Sequence, residues 1–124
     1  MEDESLMGWS MANALGKAGF QCDVTGHTET ALRKITDECY DLVISEYWLP
    51  GMKGIDFAGR VKQVNHSTPV VIISAGEDVG EGGMAGDERV DVVLEKPFNM
   101  DEMVALAREV LGTVPPERTI RKDR

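Results

Sequence analysis

The sequence has no long apolar run, no signal peptide and only two cysteines. No stretch of its 124 residues approaches the roughly 18 consecutive apolar residues of a membrane span. The N-terminus also lacks a signal-peptide apolar segment. We therefore expect no membrane contact and a cytoplasmic location. Cys22 and Cys39 lack the spacing of a metal or redox site, so we expect both to be buried, reduced thiols.

Positive charge is also scarce. The chain has 13 Lys and Arg against 22 Asp and Glu, which gives a formal net charge of -9. Because an acidic surface repels phosphates, we expect this domain to bind no nucleic acid. The charge favours a basic partner surface, a cation or simple solubility. The length suits one domain and is too short for two.

Helical and strand patterns alternate along the chain. Apolar residues at helical spacing predict four helices, of which the first ends at Gly19. The second is capped by Thr28, the third covers residues 55–64, and the last follows a capping box of Asn99 and Glu102. Apolar runs predict strands at residues 20–24, 41–45, 69–74 and 90–94. This alternation predicts an α/β fold, an open parallel sheet with helices on both faces.

Polar residues follow the predicted strands. Glu46 and Ser74 stand at two strand ends, Lys96 follows the last strand, and Glu2 and Asp3 precede the first helix. Carboxyl ends of parallel strands meet at one edge of a sheet, where ligands bind. Carboxylates hold Mg²⁺, while a hydroxyl and an ammonium hold phosphoryl oxygens. The sequence therefore predicts a site for a hard divalent cation and a phosphoryl group.

Five sequence blocks carry a family resemblance: residues 2–4, 41–46, 49–54, 71–75 and 95–98. In these blocks and their spacing, over essentially its whole length, the chain resembles the receiver domain of two-component response regulators. This resemblance implies a flavodoxin-like sheet of strand order 2-1-3-4-5 over residues 1–112. It also implies signalling in a phosphorelay, with a histidine kinase or a downstream output protein as partner. The prolines and charges of residues 113–124 predict a linker or disordered tail.

The resemblance implies a metal site and an acceptor. Glu2 and Asp3 match the acidic pair that binds Mg²⁺, the Trp48 carbonyl would complete the metal site, and Glu46 stands at the phosphoacceptor position. Glu2 and Asp3 have an alternative interpretation, as acids that interact with the dipole of the first helix.

The resemblance also implies residues that contact the phosphoryl group. Ser74, followed by Ala75, matches the switch hydroxyl, and Lys96 matches the lysine that pairs with the acceptor. The family usually holds the peptide between this lysine and Pro97 in cis. Taken alone, Ser74 has an alternative interpretation as a structural hydroxyl, and Lys96 with Pro97 has one as a turn.

The acceptor departs from the family, which has an aspartate where this chain has Glu46. The added methylene moves the carboxylate oxygens by roughly 1.5 Å, and a displacement of that order costs about a hundredfold in rate. Glu46 then either imitates phosphorylation by reaching toward Lys96 and Ser74 or merely fills the pocket. We expect a pseudo-receiver that acts by protein contact and is not an enzyme.

Two alternative functions stay open at this point. One is a receiver that still performs Mg²⁺-dependent phosphoryl transfer and autodephosphorylation. The other is a flavodoxin-like cofactor binder, although no Gly-rich loop follows the first strand position.

Three further departures concern elements rather than the acceptor. Val93 replaces the aromatic residue that the family often has three positions before its lysine, and the glycines of residues 76–86 predict a short or frayed fourth helix. Only Met1 precedes Glu2, so we expect the first strand to be missing or truncated. The expected cause is a displaced gene start. The alternative is a strand supplied by a partner chain, which would make the protein a homodimer.

Overall fold

The computed structural model describes residues 2–75 and 88–112, with side chains from residue 8 onward. The elements follow in the order α1 (Glu2–Lys17), α2 (Thr28–Asp37), β1 (Val43–Glu46), β2 (Trp48–Leu49), β3 (Met52–Lys53), α3 (Gly54–Val64), β4 (Val70–Ser74), β5 (Val92–Glu95) and α4 (Met100–Val110). They fall into two compact units. The helical unit contains α1, α2 and α4, and the sheet unit contains the five strands and α3. No helix in the described part is both long and apolar enough to cross a membrane. The predicted glycine-weakened helix of residues 76–86 and the predicted tail of residues 113–124 lie outside the described residues.

The described parallel sheet has the strand order β1-β4-β5. Val43 of β1 pairs with Val70 of β4, and Val71 of β4 pairs with Val92 of β5. Since β4 has a strand on each side, its four β-branched residues pack on both faces, and they and Ser74 are all buried. The predicted buried strand at residues 69–74 is thus confirmed. In β5 half-buried and exposed residues alternate instead.

A short hairpin and α3 follow β1. Strands β2 and β3 pair antiparallel around Pro50 and Gly51, and Gly51 has a φ of 85°, which favours glycine. The predicted turn is thereby confirmed. Helix α3 buries Gly54, Phe57, Ala58 and Val61. Val64, the last residue of the helix, is 48% exposed.

Two predictions about secondary structure in the helical unit were wrong. Residues 20–24 form no strand, and Val24 is 56% exposed. A strand needs a neighbour to accept its ladder hydrogen bonds, and the first strand expected beside it is not among the described residues. Helix α1 begins at Glu2, so Glu2 and Asp3 lie in its first turn rather than in a loop before it.

Smaller corrections concern the loops and caps of this unit. Cys22 and Cys39 are exposed rather than buried, because the first lies in the irregular segment before α2 and the second just after α2. The N-cap of α2 is His27, and Thr28 is already helical. The predicted capping box of α4 is confirmed, since the Asn99 side chain accepts from the Glu102 amide at 2.8 Å and Glu102 accepts in return from the Asn99 amide at 3.0 Å.

Candidate functional site

The sheet unit brings three predicted site residues to one edge. Strand β1 ends at Glu46, β4 ends at Ser74, and Lys96 directly follows β5. The ladder continues past the strand ends, because the Tyr47 amide donates to the Ile73 carbonyl at 2.8 Å and the Lys96 amide donates to the Ser74 carbonyl at 2.9 Å. Parallel pairing in this register therefore places an acid, a hydroxyl and a lysine side by side.

The acid and the lysine form an ion pair. Lys96 Nζ lies 3.0 Å from Glu46 Oε1, with 36% of the lysine side chain and 24% of the glutamate side chain exposed. Partial shielding from water makes such a pair stronger than one on the open surface. The ammonium that would hold a phosphoryl oxygen is thus already bound to a carboxylate of the same chain.

The hydroxyl of Ser74 has a different partner. Ser74 is only 1% exposed, and its Oγ donates to the carbonyl of Ala75 at 2.7 Å. The peptide between Lys96 and Pro97 is cis, as the resemblance implied. Ser74, Ala75, Lys96 and Pro97 therefore lie at the strand ends as predicted, with the serine hydroxyl bonded to the neighbouring backbone.

Gly54 allows the start of α3 to lie against the backbone of Glu46, a role that the sequence did not predict. The Gly54 amide donates to the Tyr47 carbonyl, and a Cβ on Gly54 would stand 2.2 Å from the Glu46 carbonyl oxygen. Real Cβ atoms essentially never approach an oxygen so closely. The only sequence signal was a second glycine three residues after the Pro50-Gly51 turn, where α3 begins.

An aromatic pair stands next to the acid in sequence. Tyr47 is buried, whereas Trp48 is 54% exposed, and their rings meet edge to face with centroids 5.0 Å apart. Lys53 Nζ lies 5.6 Å from the centre of the Trp48 ring, within range of a cation–π interaction. The hairpin strand that would offer the Trp48 carbonyl to a metal is therefore anchored by a buried tyrosine.

The predicted metal ligands belong to α1, β1 and β2. Glu2 and Asp3 lie in the first turn of α1, and their side chains lie outside the description. Among the described side chains, no group of three or more His, Cys, Asp or Glu could hold a metal ion. The metal set of Glu2, Asp3, Glu46 and Trp48 thus stays a prediction.

A second polar cluster in the sheet unit was also missed. Asp91 Oδ2 accepts from Lys62 Nζ at 2.8 Å and from the Val70 amide at 2.7 Å. Burial alone would raise the pKa of Asp91, but the hydrogen bonds from Lys62 and Val70, with the charges of Lys62 and His66, lower it overall. No sequence motif indicates this cluster, because Lys62, Val70 and Asp91 are far apart in sequence.

A tyrosine is held by two acids in the helical unit. The Tyr40 hydroxyl donates to Asp23 at 2.5 Å and to Glu38 at 3.1 Å. Burial, followed by the hydrogen bonds and charges of these two carboxylates, raises the pKa of Tyr40 well above its usual range. Its hydroxyl therefore keeps its proton and acts as a donor that ties two loops together.

Comparison with known proteins identifies the family. The profile of the response regulator receiver domain matches residues 1–108. The chain belongs to this receiver domain family. The receiver is 35% identical over 111 residues to the transcriptional activator protein IrlR of Burkholderia pseudomallei, covering 90% of this chain and 48% of IrlR. It is 29% identical to the DNA-binding transcriptional regulator NtrC of Escherichia coli K12, covering 90% of this chain and 24% of NtrC.

Solved structures show the same fold. A CheY-like receiver domain from Methanospirillum hungatei matches with a TM-score of 0.79 at 17% identity, over 88% of this chain and 87% of the other. The response regulator TrrA of Thermotoga maritima, in complex with Mg²⁺ and BeF, matches with a TM-score of 0.74 at 24% identity. The match covers 87% of this chain and 92% of TrrA. The receiver therefore has the flavodoxin-like α/β fold with a parallel sheet, and β1, β4 and β5 correspond to the third, fourth and fifth strands of the predicted order.

The match covers only part of the longer relatives. The receiver spans about half the length of IrlR and about a quarter of NtrC. These relatives are named as transcriptional regulators, and that activity belongs to proteins longer than the chain described above.

Proposed function

We propose that this receiver is a pseudo-receiver of a two-component phosphorelay, which signals by protein–protein contact without ordinary phosphotransfer. The observation that carries the proposal is the 3.0 Å ion pair between Lys96 Nζ and Glu46 Oε1. A phosphoacceptor must present an oxygen in line with phosphorus, and the longer glutamate is displaced by roughly 1.5 Å, which costs about a hundredfold in rate. Glu46 instead supplies a negative charge to Lys96, as a phosphoryl group would.

Mg²⁺ fits this proposal as a structural partner. The proposed donors are the carboxylates of Glu2, Asp3 and Glu46 and the carbonyl of Trp48, an all-oxygen set of the kind that Mg²⁺ prefers. When bound, Mg²⁺ would supply positive charge to these carboxylates. The proposed partners are a histidine kinase or a downstream output protein in the cytoplasm.

The alternative of a competent receiver rests on a specific observation. Lys96 lies at the strand edge beside Ser74, where a phosphoryl group attached to Glu46 would meet an ammonium. The family match favours either receiver over a flavodoxin-like cofactor binder.

Binding of beryllofluoride, a tetrahedral phosphoryl analogue, tests the proposal. Wild type and Glu46→Asp are titrated with beryllofluoride and Mg²⁺ while amide resonances are followed by NMR. We expect the amides of residues 74–75 and 96 to stay in place in wild type and to shift in Glu46→Asp, whose shorter acid suits the analogue. Equal shifts in both proteins would support the competent receiver instead.

A further inference from the structure

One lysine ties the starts of two strands together, at the end of the sheet opposite Glu46. Lys62 lies in the last turn of α3, and its side chain is only 12% exposed. Its Nζ donates to the Thr68 carbonyl, before β4, at 2.7 Å and to Asp91 Oδ2, before β5, at 2.8 Å. The same carboxylate oxygen accepts from the Val70 amide at 2.7 Å. One ammonium and one carboxylate therefore join two strand starts to the end of a helix.

Strand β5 needs such an anchor to keep its register. It has four residues, and among the described strands it pairs with β4 alone. Its residues alternate between half-buried and exposed, so burial specifies its register less strongly than that of the fully buried β4. The bonds from Lys62 and Val70 hold Asp91, the residue just before the strand. A slip of one residue would move every later residue by roughly 3.3 Å and turn its side chain to the other face.

The ion pair of the site depends on this register. Glu46 ends β1 and Lys96 follows β5, with β4 between the two strands. The backbones of β1 and β5 are therefore about 10 Å apart, twice the spacing of neighbouring strands. The 3.0 Å contact between Lys96 Nζ and Glu46 Oε1 spans this gap through two long side chains. It forms only while β5 stays in its register.

Helix α3 connects the cluster with the acid. It begins at Gly54, whose amide donates to the Tyr47 carbonyl next to Glu46, and Lys62 lies roughly 12 Å further along the helix axis. One helix thus contacts the end of β1 and, through Lys62, the start of β5. We propose that Lys62 is a positioning residue of the site, which holds β5 in the register where Lys96 reaches Glu46. The proposal rests on the ion pair alone and holds whether or not Glu46 takes a phosphoryl group.

Hydrogen exchange of two backbone amides and one ammonium, followed by NMR, tests the proposal. The Lys96 amide reports on the end of β5 and the Tyr47 amide on the end of β1, since they donate to carbonyls of β4 at 2.9 Å and 2.8 Å. In Lys62→Met, which keeps an apolar stem but lacks the donor, we expect the Lys96 amide to exchange about tenfold faster and the Tyr47 amide to be unchanged. The Lys96 ammonium, which Glu46 binds in wild type, should exchange faster as well.

Two further variants control this measurement. Asp91→Asn removes the charge that Lys62 binds and should give the same pattern to a smaller extent, which keeps the test valid if Lys62→Met fails to fold. Lys34→Met makes the same chemical change on α2, where Lys34 lies 4.0 Å from Asp23, and should leave all three signals unchanged. Equal acceleration of both amides would assign Lys62 to general stability and overturn the proposal. So would a Lys96 ammonium that exchanges as slowly as in wild type, or a Lys34→Met variant that changes the Lys96 signals equally.

Discussion

Gly54 lies where the backbone of α3 meets the carbonyl of Glu46, and no larger residue fits there. A Cβ at this position would stand 2.2 Å from that oxygen, so Gly54→Ala must move either the helix or the acid. Crowding of this kind costs about 1–3 kcal/mol, which we expect as a lower free energy of unfolding in urea. The displaced acid should also lose its contact with Lys96.

Gly16→Ala is the control for this substitution. Gly16 lies in α1, and a Cβ there would meet nothing within 4 Å. Replacing an unstrained helical glycine should stabilise the protein by about 0.5–1 kcal/mol. A Gly54→Ala variant as stable as wild type would show that the backbone near Glu46 relaxes freely.

Single residues also show how far the sequence predicts the site. Glu46, Ser74 and Lys96 were located because each follows a strong strand pattern, and chain order alone then assigns them to one edge. The clash at Gly54 and the bond from Ser74 to the Ala75 carbonyl depend on distances through space, which no local pattern encodes. The corresponding roles in phosphoryl binding stay predictions.

At the scale of elements, one carboxylate joins α3 to the sheet. Asp91 precedes β5 and binds both Lys62 of α3 and the first amide of β4. Since 40% of its side chain is exposed, we expect Asp91→Asn to lower the free energy of unfolding at neutral pH by only about 1 kcal/mol.

The pH dependence of this effect follows from the pKa of Asp91, which is lowered from its ordinary value of 3.8. A lowered pKa in the folded state adds stability above the ordinary value and loses it as the pH falls through the folded value. The advantage of wild type over Asp91→Asn should therefore shrink below pH 3.8 and disappear once the pH falls below the folded-state pKa, as measured by urea unfolding at pH 7 and at a pH well below 3.8. Asp37→Asn, an exposed control at the end of α2, should stay within about 0.5 kcal/mol of wild type at both pH values. A constant difference between wild type and Asp91→Asn would contradict the ion-pair explanation.

Helices and strands were predicted correctly where a single local sequence pattern determines them. The β-branched run of β4 and the capping box of α4 act locally, and both were located correctly. The run at residues 20–24 has the composition of a strand, but a strand exists only beside a partner, so Val24 is exposed instead. For the same reason the exposure of Cys22 could not be inferred from its apolar character.

For the molecule as a whole, the sequence predicts the family and the fold but not whether Glu46 takes a phosphoryl group. The receiver match covers residues 1–108, and the described strands β1, β4 and β5 carry Glu46, Ser74 and Lys96 to one edge. In our proposal, the added methylene of Glu46 prevents phosphoryl transfer, because it moves the carboxylate by roughly 1.5 Å without altering the fold. A pseudo-receiver and a competent receiver therefore share this fold.

Phosphoryl labelling is the most direct test of the pseudo-receiver proposal. Wild type, Glu46→Asp and Glu46→Gln are incubated with acetyl phosphate and Mg²⁺, and the intact mass of each protein is followed over time. We expect wild type and Glu46→Gln to keep their mass, and Glu46→Asp to gain one phosphoryl group. A wild-type adduct that forms as readily as that of Glu46→Asp would contradict the proposal and establish a receiver with a glutamate acceptor.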